Sequence, residues 1–231
     1  MNMQRVLIIA AHPDDEVLGC GATIHKLIQQ NVAVKVLILG EGSSCRYPLT
    51  EIESTHVQQA IKLRRDCASK ALKVLSVEQV QFVNYPCGRF DTIPLIDIGK
   101  TIEACITDFK PDTVFTHSLC DTNNDHKLSF QATLQATRPT PGHCVQKLLS
   151  YEVLSSSEWN FGHAFTPNYF IDISKHLQAK LDAFNCYART EGGEYPYPRS
   201  EQGLTVLAQR RGMQAGLNYA EAFTIIREIQ E

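Results

Sequence analysis

The sequence of 231 residues has one tryptophan, no C-x-x-C pair among its eight cysteines, and no long apolar run. The missing cysteine pairs exclude a zinc-thiolate cluster, and we expect reduced thiols, several of them in the core. A membrane-spanning helix needs about 18 apolar residues, so we predict no integral membrane segment. The apolar run over residues 6–11 is too short for a signal peptide, and we expect a cytoplasmic protein.

The sequence also lacks a large excess of charge of either sign. The formal net charge is −3, and no basic stretch exceeds Lys62–Arg65, which argues against nucleic acid as a partner. Hydrophobic residues make up 43% and charged residues 20%, as in an ordinary globular protein. A small polar substrate remains open, as does a homo-oligomer. We expect a single domain over residues 1–231.

Strand and helix patterns alternate from the start of the chain. Residues 5–11 and 32–40 are apolar runs typical of buried strands, and residues 19–30 between them have helical spacing. This order predicts a parallel βαβ unit and an α/β fold: a Rossmann-like three-layer α/β/α arrangement with a mostly parallel sheet and C-terminal additions. Further strands are predicted over 80–85, 111–117, 147–154 and 169–174, and helices over 52–75, 94–109, 126–137, 176–188 and 204–226.

The first strand ends in "AHPDDEVLGCGAT", which places one imidazole and three carboxylates side by side. Pro13 cannot extend a strand ladder, so we expect a loop that presents Asp14, Asp15 and Glu16. Acids that cap a helix would explain part of this cluster. A divalent cation held by His12 and a carboxylate would also explain the histidine, with a neighbouring carboxylate as general base. The residues alone leave both interpretations open.

A second polar cluster follows the strand predicted over 111–117. His117, Asp121, Asp125 and His126 lie within ten positions of one another. The carboxyl ends of parallel strands meet at one edge of a sheet, so this cluster can supply the ligand that the first one lacks. Two histidines and two aspartates at that edge favour a metal site over helix capping.

Together the first motif and the later D-x-N-x-D-H pattern resemble the PIG-L or LmbE-like family of zinc-dependent N-deacetylases. That family acts on sugars of the N-acetylglucosamine type. The resemblance implies His12, Asp15 and His126 as ligands of Zn²⁺, with another divalent metal such as Fe²⁺ as an option. It also implies Asp14 as the general base and Asp125 as a support for the ligands.

One position departs from the family pattern. Many members have a histidine three residues before the last metal ligand, and this chain has Asn123 there. An amide can donate a hydrogen bond to an oxyanion but cannot supply a proton. The proton for the leaving amine must then come from Asp14 or from another group such as His117. Asp121 is a further candidate next to the metal.

Substrate-binding candidates lie in the loops after the strands. Arg46, Arg89 and Asp91 are placed to meet sugar hydroxyls or a phosphate, and the resemblance adds Arg199 in "YPYPRS". Surface ion pairs explain each arginine equally well. For Trp159 we favour core packing over stacking on a sugar.

The sequence thus predicts hydrolysis of an N-acetylated sugar or sugar conjugate, releasing acetate and a free amine. A zinc amidase that acts on a larger or non-sugar amide would have the same ligands, so it stays an alternative. A metal-free protein that binds nucleotide sugars is another, although the first turn lacks the G-x-G-x-x-G pattern and offers acids where phosphates would lie.

Overall fold

A seven-stranded mixed sheet organises the protein. In the computed structural model, which describes residues 3–140 and 144–230, the strands run in the order β3-β2-β1-β4-β5-β7-β6. Strands β1 to β5 pair in parallel, and β7 pairs antiparallel with both β5 and β6. The predicted α/β class with a mostly parallel sheet is confirmed. The strands are β1 (Arg5–Ala10), β2 (Ala33–Gly40), β3 (Gln79–Tyr85), β4 (Thr113–Thr116), β5 (Lys147–Tyr151), β6 (Tyr169–Asp172) and β7 (Ala220–Glu228).

Helices cover both faces of this sheet, because the strands at its centre are apolar on both sides. Every residue from Val6 to Ala10 in β1 is fully buried. Alternate residues point to opposite faces: Val6 and Ile8 pack with α1, α2 and α5, whereas Leu7 packs with α3 and α4. The helices are α1 (Asp15–Gln29), α2 (Thr55–Val74), α3 (Leu95–Phe109), α4 (Asn124–Ala136), α5 (Leu177–Asn185), α6 (Ala188–Glu191) and α7 (Glu201–Ala215).

The helix predicted over residues 204–226 is confirmed in its first half and wrong in its second. Helix α7 ends at Ala215, and residues 220–228 form strand β7 rather than the continuation expected to residue 226. Gly216 follows the helix with φ 70°, a left-handed conformation that ends helices. Beyond it the segment contains aromatic and β-branched residues that suit a strand, and its partners β5 and β6 are distant in sequence.

The first helix begins earlier than expected. Helix α1 starts at Asp15, so Asp15 and Glu16 belong to its first turn, and only Asp14 precedes it. Gly19, inside this helix, lies against an aromatic ring: a Cβ there would stand 2.3 Å from Cδ2 of Tyr151. The glycine therefore lets α1 approach β5 at the edge where β1 ends.

Three other expectations bear on the chain as a whole. All eight cysteines are free, and four of them are buried. In the described part of the chain, no helix has the length and apolar character needed to cross a bilayer. One sheet contains all the described strands, which fits the single domain over residues 1–231, and that boundary stays a prediction.

Candidate functional site

The two polar clusters meet at the carboxyl ends of two neighbouring parallel strands. In β1 and β4, Ile8 lies opposite Phe115, so the residues that follow each strand leave the sheet at the same edge. The backbone N–H of Ala11 donates to Nε2 of His117 at 2.8 Å, which joins the two strand ends directly. Residues separated by more than a hundred positions thereby form one site.

Three side chains at this edge form a set of metal-binding donors. One ligand atom from each of His12, Asp15 and His126 lies within 4.8 Å of the others, and all three residues are buried. Oδ2 of Asp15 is 3.4 Å from Nδ1 of His12 and 3.3 Å from Nε2 of His126. The sequence expectation of two histidines and one aspartate therefore matches a geometric cluster.

Each histidine of this set is oriented by a carboxylate on its other nitrogen. Nε2 of His12 lies 2.9 Å from Oδ2 of Asp125, and Nδ1 of His126 lies 3.1 Å from Oδ2 of Asp121. Such outer carboxylates fix ring orientation and tautomer at metal sites. Asp121 is itself held by the hydroxyls of Ser156 and Ser157.

The electrostatics of the cluster favour a positive charge. Burial alone would lower the pKa of His126, but the charge of Asp15 and the hydrogen bond to Asp121 raise it to about 10. Burial alone would raise the pKa of Asp121, yet the hydrogen bond with His126 and the charge of that ring lower it to about 2. A cation at this position would therefore be stabilised by the carboxylates around it.

Unpartnered atoms provide a test of whether a metal fits. Oδ1 of Asp15 and Nε2 of His126 are buried and have no hydrogen-bond partner among the described residues. Leaving buried polar atoms unpaired costs free energy, and a coordinated ion would satisfy both. Imidazole nitrogen and carboxylate oxygen are ordinary ligands of zinc. The donor set therefore fits a divalent cation.

Asp14 occupies an unusual backbone conformation beside the donor set. Its φ is 116°, outside the regions that non-glycine residues normally adopt. Its N–H donates to Oε2 of Glu16 at 2.9 Å, and Oε1 of Glu16 accepts from the hydroxyl of Tyr187 at 2.6 Å. Burial raises the pKa of Glu16 to about 8, although both hydrogen bonds oppose this rise. The side chain of Glu16 thus holds the backbone of Asp14.

Two arginines hold the carboxylate of Asp14. Nη1 of Arg199 lies 2.7 Å from Oδ2 of Asp14, and Nη2 of Arg64 lies 3.2 Å from Oδ1. Both arginines also face Glu191, which is 3.1 Å from Nη1 of Arg64. Arg46 adds a third guanidinium, with Nη2 at 2.6 Å from Oε2 of Glu191.

Sequence reasoning missed Arg64 and Glu191. Arg64 lies on the buried stripe of α2 with Val57 and Ala68, where the helical spacing would place an apolar side chain. A charged residue on the apolar face of a helix is a signal that could have been used. Glu191 offers no comparable signal, because its position depends on the packing of α6, the short helix that ends at this residue.

The four predicted substrate-binding residues differ in where their side chains lie. Arg46 and Arg199 converge on Glu191, and Nη1 of Arg89 lies 3.5 Å from the hydroxyl of Ser44. Asp91 is exposed on the short 3-10 turn Phe90–Thr92. The preference for core packing of Trp159 was wrong, since 46% of that residue is exposed.

His117 and Asn123 lie next to the ligands in supporting contacts. The His117 ring stacks on His126 with centroids 4.0 Å apart, and burial together with the charge of His126 lowers the pKa of His117 well below its usual value. Asn123 precedes α4 and accepts the N–H of Asp125 with its side-chain oxygen at 2.9 Å. This cap fixes the start of the helix that carries His126.

Comparison with known protein families matches residues 7–137 to PIG-L, described as GlcNAc-PI de-N-acetylase. The match spans more than half of the chain and includes the donor set and Asp14. The chain belongs to the PIG-L family.

Individual relatives show the same similarity. The diacetylchitobiose deacetylase of Thermococcus kodakarensis is 25% identical over 97% of this chain and 84% of its own length. The N,N'-diacetylchitobiose deacetylase structure from Pyrococcus horikoshii superposes with a TM-score of 0.78 at 22% identity, covering 97% of this chain and 84% of that one. The 4-carboxy-2-hydroxymuconate hydratase GalB from Pseudomonas putida also gives 0.78 at 22% identity, covering 99% of both chains. A similar fold therefore occurs in proteins whose names give different chemistries.

Proposed function

We propose that this PIG-L protein hydrolyses the amide of an N-acetylated amino sugar and releases acetate and a free amine. The observation that carries the proposal is the buried donor set His12, Asp15 and His126, together with Asp14, a buried carboxylate outside the set that directly precedes Asp15 in the chain. A metal site with a neighbouring carboxylate that is not itself a ligand suits hydrolysis of an unactivated amide. The family and its deacetylase relatives support this reaction.

Nδ1 of His12, a carboxylate oxygen of Asp15 and Nε2 of His126 would hold the divalent cation, with zinc as our first choice and ferrous iron as the second. When bound there, such an ion supplies Lewis acidity and makes water nucleophilic near neutral pH. Asp125 and Asp121 keep the two imidazoles turned toward it. These three donors would match the number of protein ligands found at catalytic zinc sites.

Asp14 moves the proton in this proposal. Oδ2 of Asp14 accepts a hydrogen bond from Nη1 of Arg199, whereas Oδ1 is buried, has no hydrogen-bond partner in the described structure and forms only an ion pair with Nη2 of Arg64 at 3.2 Å. We assign Oδ1 as the atom that accepts a proton from the attacking water and returns it to the leaving amine. Of the two acids that the sequence left open, Asp14 suits the task better, because Nε2 of His117 already accepts the N–H of Ala11.

The substrate lies, in this proposal, against the loops that carry Arg46, Arg89, Asp91 and Arg199. Arg46 and Arg199 are paired with Glu191, so the cluster presents donors and acceptors together rather than bare positive charge. This mixture suits sugar hydroxyls better than a phosphate, which favours a neutral N-acetylated sugar over a nucleotide sugar. The role of Asn123 as an oxyanion donor, the cytoplasmic location and the option of a homo-oligomer stay predictions.

The test is a panel of N-acetylated sugars, sugar conjugates and non-sugar acetamides incubated with the zinc-loaded protein. We expect equal amounts of acetate and free amine from at least one sugar, and no product after the metal is removed with a chelator. Release from non-sugar amides alone would favour the amidase alternative. Binding of nucleotide sugars by metal-free protein, without acetate, would favour the binding-protein alternative.

A further inference from the structure

Two cysteine thiols meet at the rim of the candidate metal site. Sγ of Cys87 lies 3.2 Å from Sγ of Cys45 and donates a hydrogen bond to it. Cys45 belongs to the 3-10 turn Ser44–Arg46 that follows β2, and Cys87 follows β3. Cys45 is exposed and Cys87 is buried, so solvent reaches the pair from one side.

The two loops are built to keep these thiols together. Oε2 of Glu41 accepts the N–H of Ser44 at 3.0 Å, and Oε1 accepts the N–H of Cys87 at 2.7 Å, so one buried carboxylate holds both turns. Gly88 has φ 72°, and a Cβ at this position would lie 2.8 Å from Cβ of Cys45. The close approach of the loops thus depends on a glycine.

The same loop supports the metal site. The N–H groups of Gly88 and Phe90 donate to the two carboxylate oxygens of Asp125, at 2.6 and 3.0 Å. Asp125 in turn orients His12, and donor atoms of His12, Cys87 and Asp125 lie within 4.8 Å of one another. A displacement of Cys87 would therefore disturb Asp125 and, through it, His12, which we assign as a metal ligand.

We propose that Cys45 and Cys87 are a site of oxidative modification, at which hydrogen peroxide converts the two thiols into a disulfide. The sulfur of Cys45 attacks the O–O bond and becomes a sulfenic acid, with release of one water. The sulfur of Cys87 then attacks the sulfenic sulfur, the S–S bond forms, and a second water leaves. The two thiols lose two electrons and two protons, and the peroxide is reduced to two waters.

Exposure and charge select Cys45 as the attacking thiol. Reactive cysteines are accessible and lie near positive groups. The hydrogen bond from Cys87 lowers the pKa of Cys45 to about 6, against the effect of its partial burial, and the charges of His12, Arg46 and Arg64 act in the same direction as the hydrogen bond. Cys87 lies within reach as the resolving thiol.

Disulfide formation also has a consequence for the metal, which rests on the proposed function. An S–S bond is about 2.05 Å long, so the sulfurs must approach by more than an ångström, and the amides that hold Asp125 move with Cys87. Loss of an outer partner weakens metal affinity about 10-fold or more. We expect the oxidised protein to bind zinc roughly 10-fold more weakly than the reduced protein.

The experiment uses the full chain loaded with zinc, which is not redox-active, reduced and then titrated with hydrogen peroxide. Free thiols and disulfide-linked peptides are measured by mass spectrometry. We expect a Cys45–Cys87 peptide to form first, with loss of two of the eight thiols. Cys186→Ser, at a half-buried cysteine just after α5, should form the same peptide, and Cys45→Ser should not.

Cys45→Ser is the informative variant because its side chain is exposed and the substitution does not empty the core. If peroxide leaves both thiols free, or links other cysteines at the same rate, the proposal is wrong whatever the enzyme's substrate. Zinc titration of the oxidised and reduced forms tests the coupling separately. Equal zinc affinity of a confirmed disulfide form would overturn the coupling to Asp125.

Discussion

Asp125 lies 2.9 Å from Nε2 of His12, although the two residues are 113 positions apart in the chain. The two oxygens of Asp125 also accept the backbone N–H groups of Gly88 and Phe90. One carboxylate therefore joins the turn after β1, the start of α4 and the loop after β3. It leaves Nδ1 of His12 facing Asp15.

This relationship predicts that Asp125→Asn weakens metal binding without unfolding the protein. The amide can still contact His12, but it is a weaker acceptor and can present its NH₂ group instead. We expect affinity for zinc to fall about 10- to 100-fold, as for other outer partners of metal ligands. Titration with zinc in competition with a fluorescent chelator measures the change.

Asp97→Asn provides the matched control for that variant, because Asp97 is an exposed residue in the first turn of α3. It should bind zinc as the unmodified protein does. Equal zinc affinity of Asp125→Asn and Asp97→Asn would show that Asp125 does not orient a ligand.

Gly19→Ala should destabilise the fold through overpacking. The new Cβ would stand 2.3 Å from the ring of Tyr151, whose hydroxyl donates to the carbonyl of Ile9 at 2.7 Å. Forcing a methyl group into a packed site costs about 1–3 kcal/mol, more than the gain in helix propensity. Urea denaturation measures the free energy of unfolding. Gly99→Ala, where a Cβ would meet its nearest neighbour at 3.6 Å, should not destabilise.

Lys180→Met should destabilise the protein by leaving a buried charge without its partner. Nζ of Lys180 lies 2.6 Å from Oε1 of Glu221 and donates to the carbonyl of Leu18 at 2.7 Å. Both residues are at most 5% exposed, and removing one partner of a buried pair costs about 3–5 kcal/mol. As a control, Lys100→Met removes an exposed ion pair with Glu103 and should change the free energy of unfolding little. A small effect of Lys180→Met in the same urea experiment would contradict this account of the pair.

The sequence predicts the fold where local pattern and tertiary structure agree. Strand β1 is an apolar run bounded by polar residues, and its burial on both faces follows from that pattern. The helix predicted over residues 220–226 was wrong, because residues 220–228 form a strand that depends on pairing with β5 and β6. These partners are distant in sequence, so the local pattern of residues does not reveal the pairing. The left-handed conformation of Gly216 ends α7 before this strand begins. In the sequence, a glycine inside a helical pattern is ambiguous, because it can either lie within the helix or end it.

The candidate site shows the same limit. The two clusters that contain His12, Asp15 and His126 could be located from residue types and from the ends of predicted strands, and the family resemblance selected these three residues as ligands. The carboxylate that orients each histidine could not be predicted. Asp125 orients His12 rather than its sequence neighbour His126, and Asp121 orients His126. Such pairings depend on how loops from different strands pack against one another, and sequence spacing carries no information about them.

The central claim is a division of roles between adjacent aspartates: Asp15 binds the cation, and Asp14 moves the proton. The most direct measurement compares Asp14→Asn with the unmodified protein for zinc content and for acetate released from the best N-acetylated sugar of the panel. We predict equal zinc in both, and turnover reduced by about 10²–10⁴ in the variant, the usual contribution of a general base. Full turnover by zinc-loaded Asp14→Asn would contradict the account.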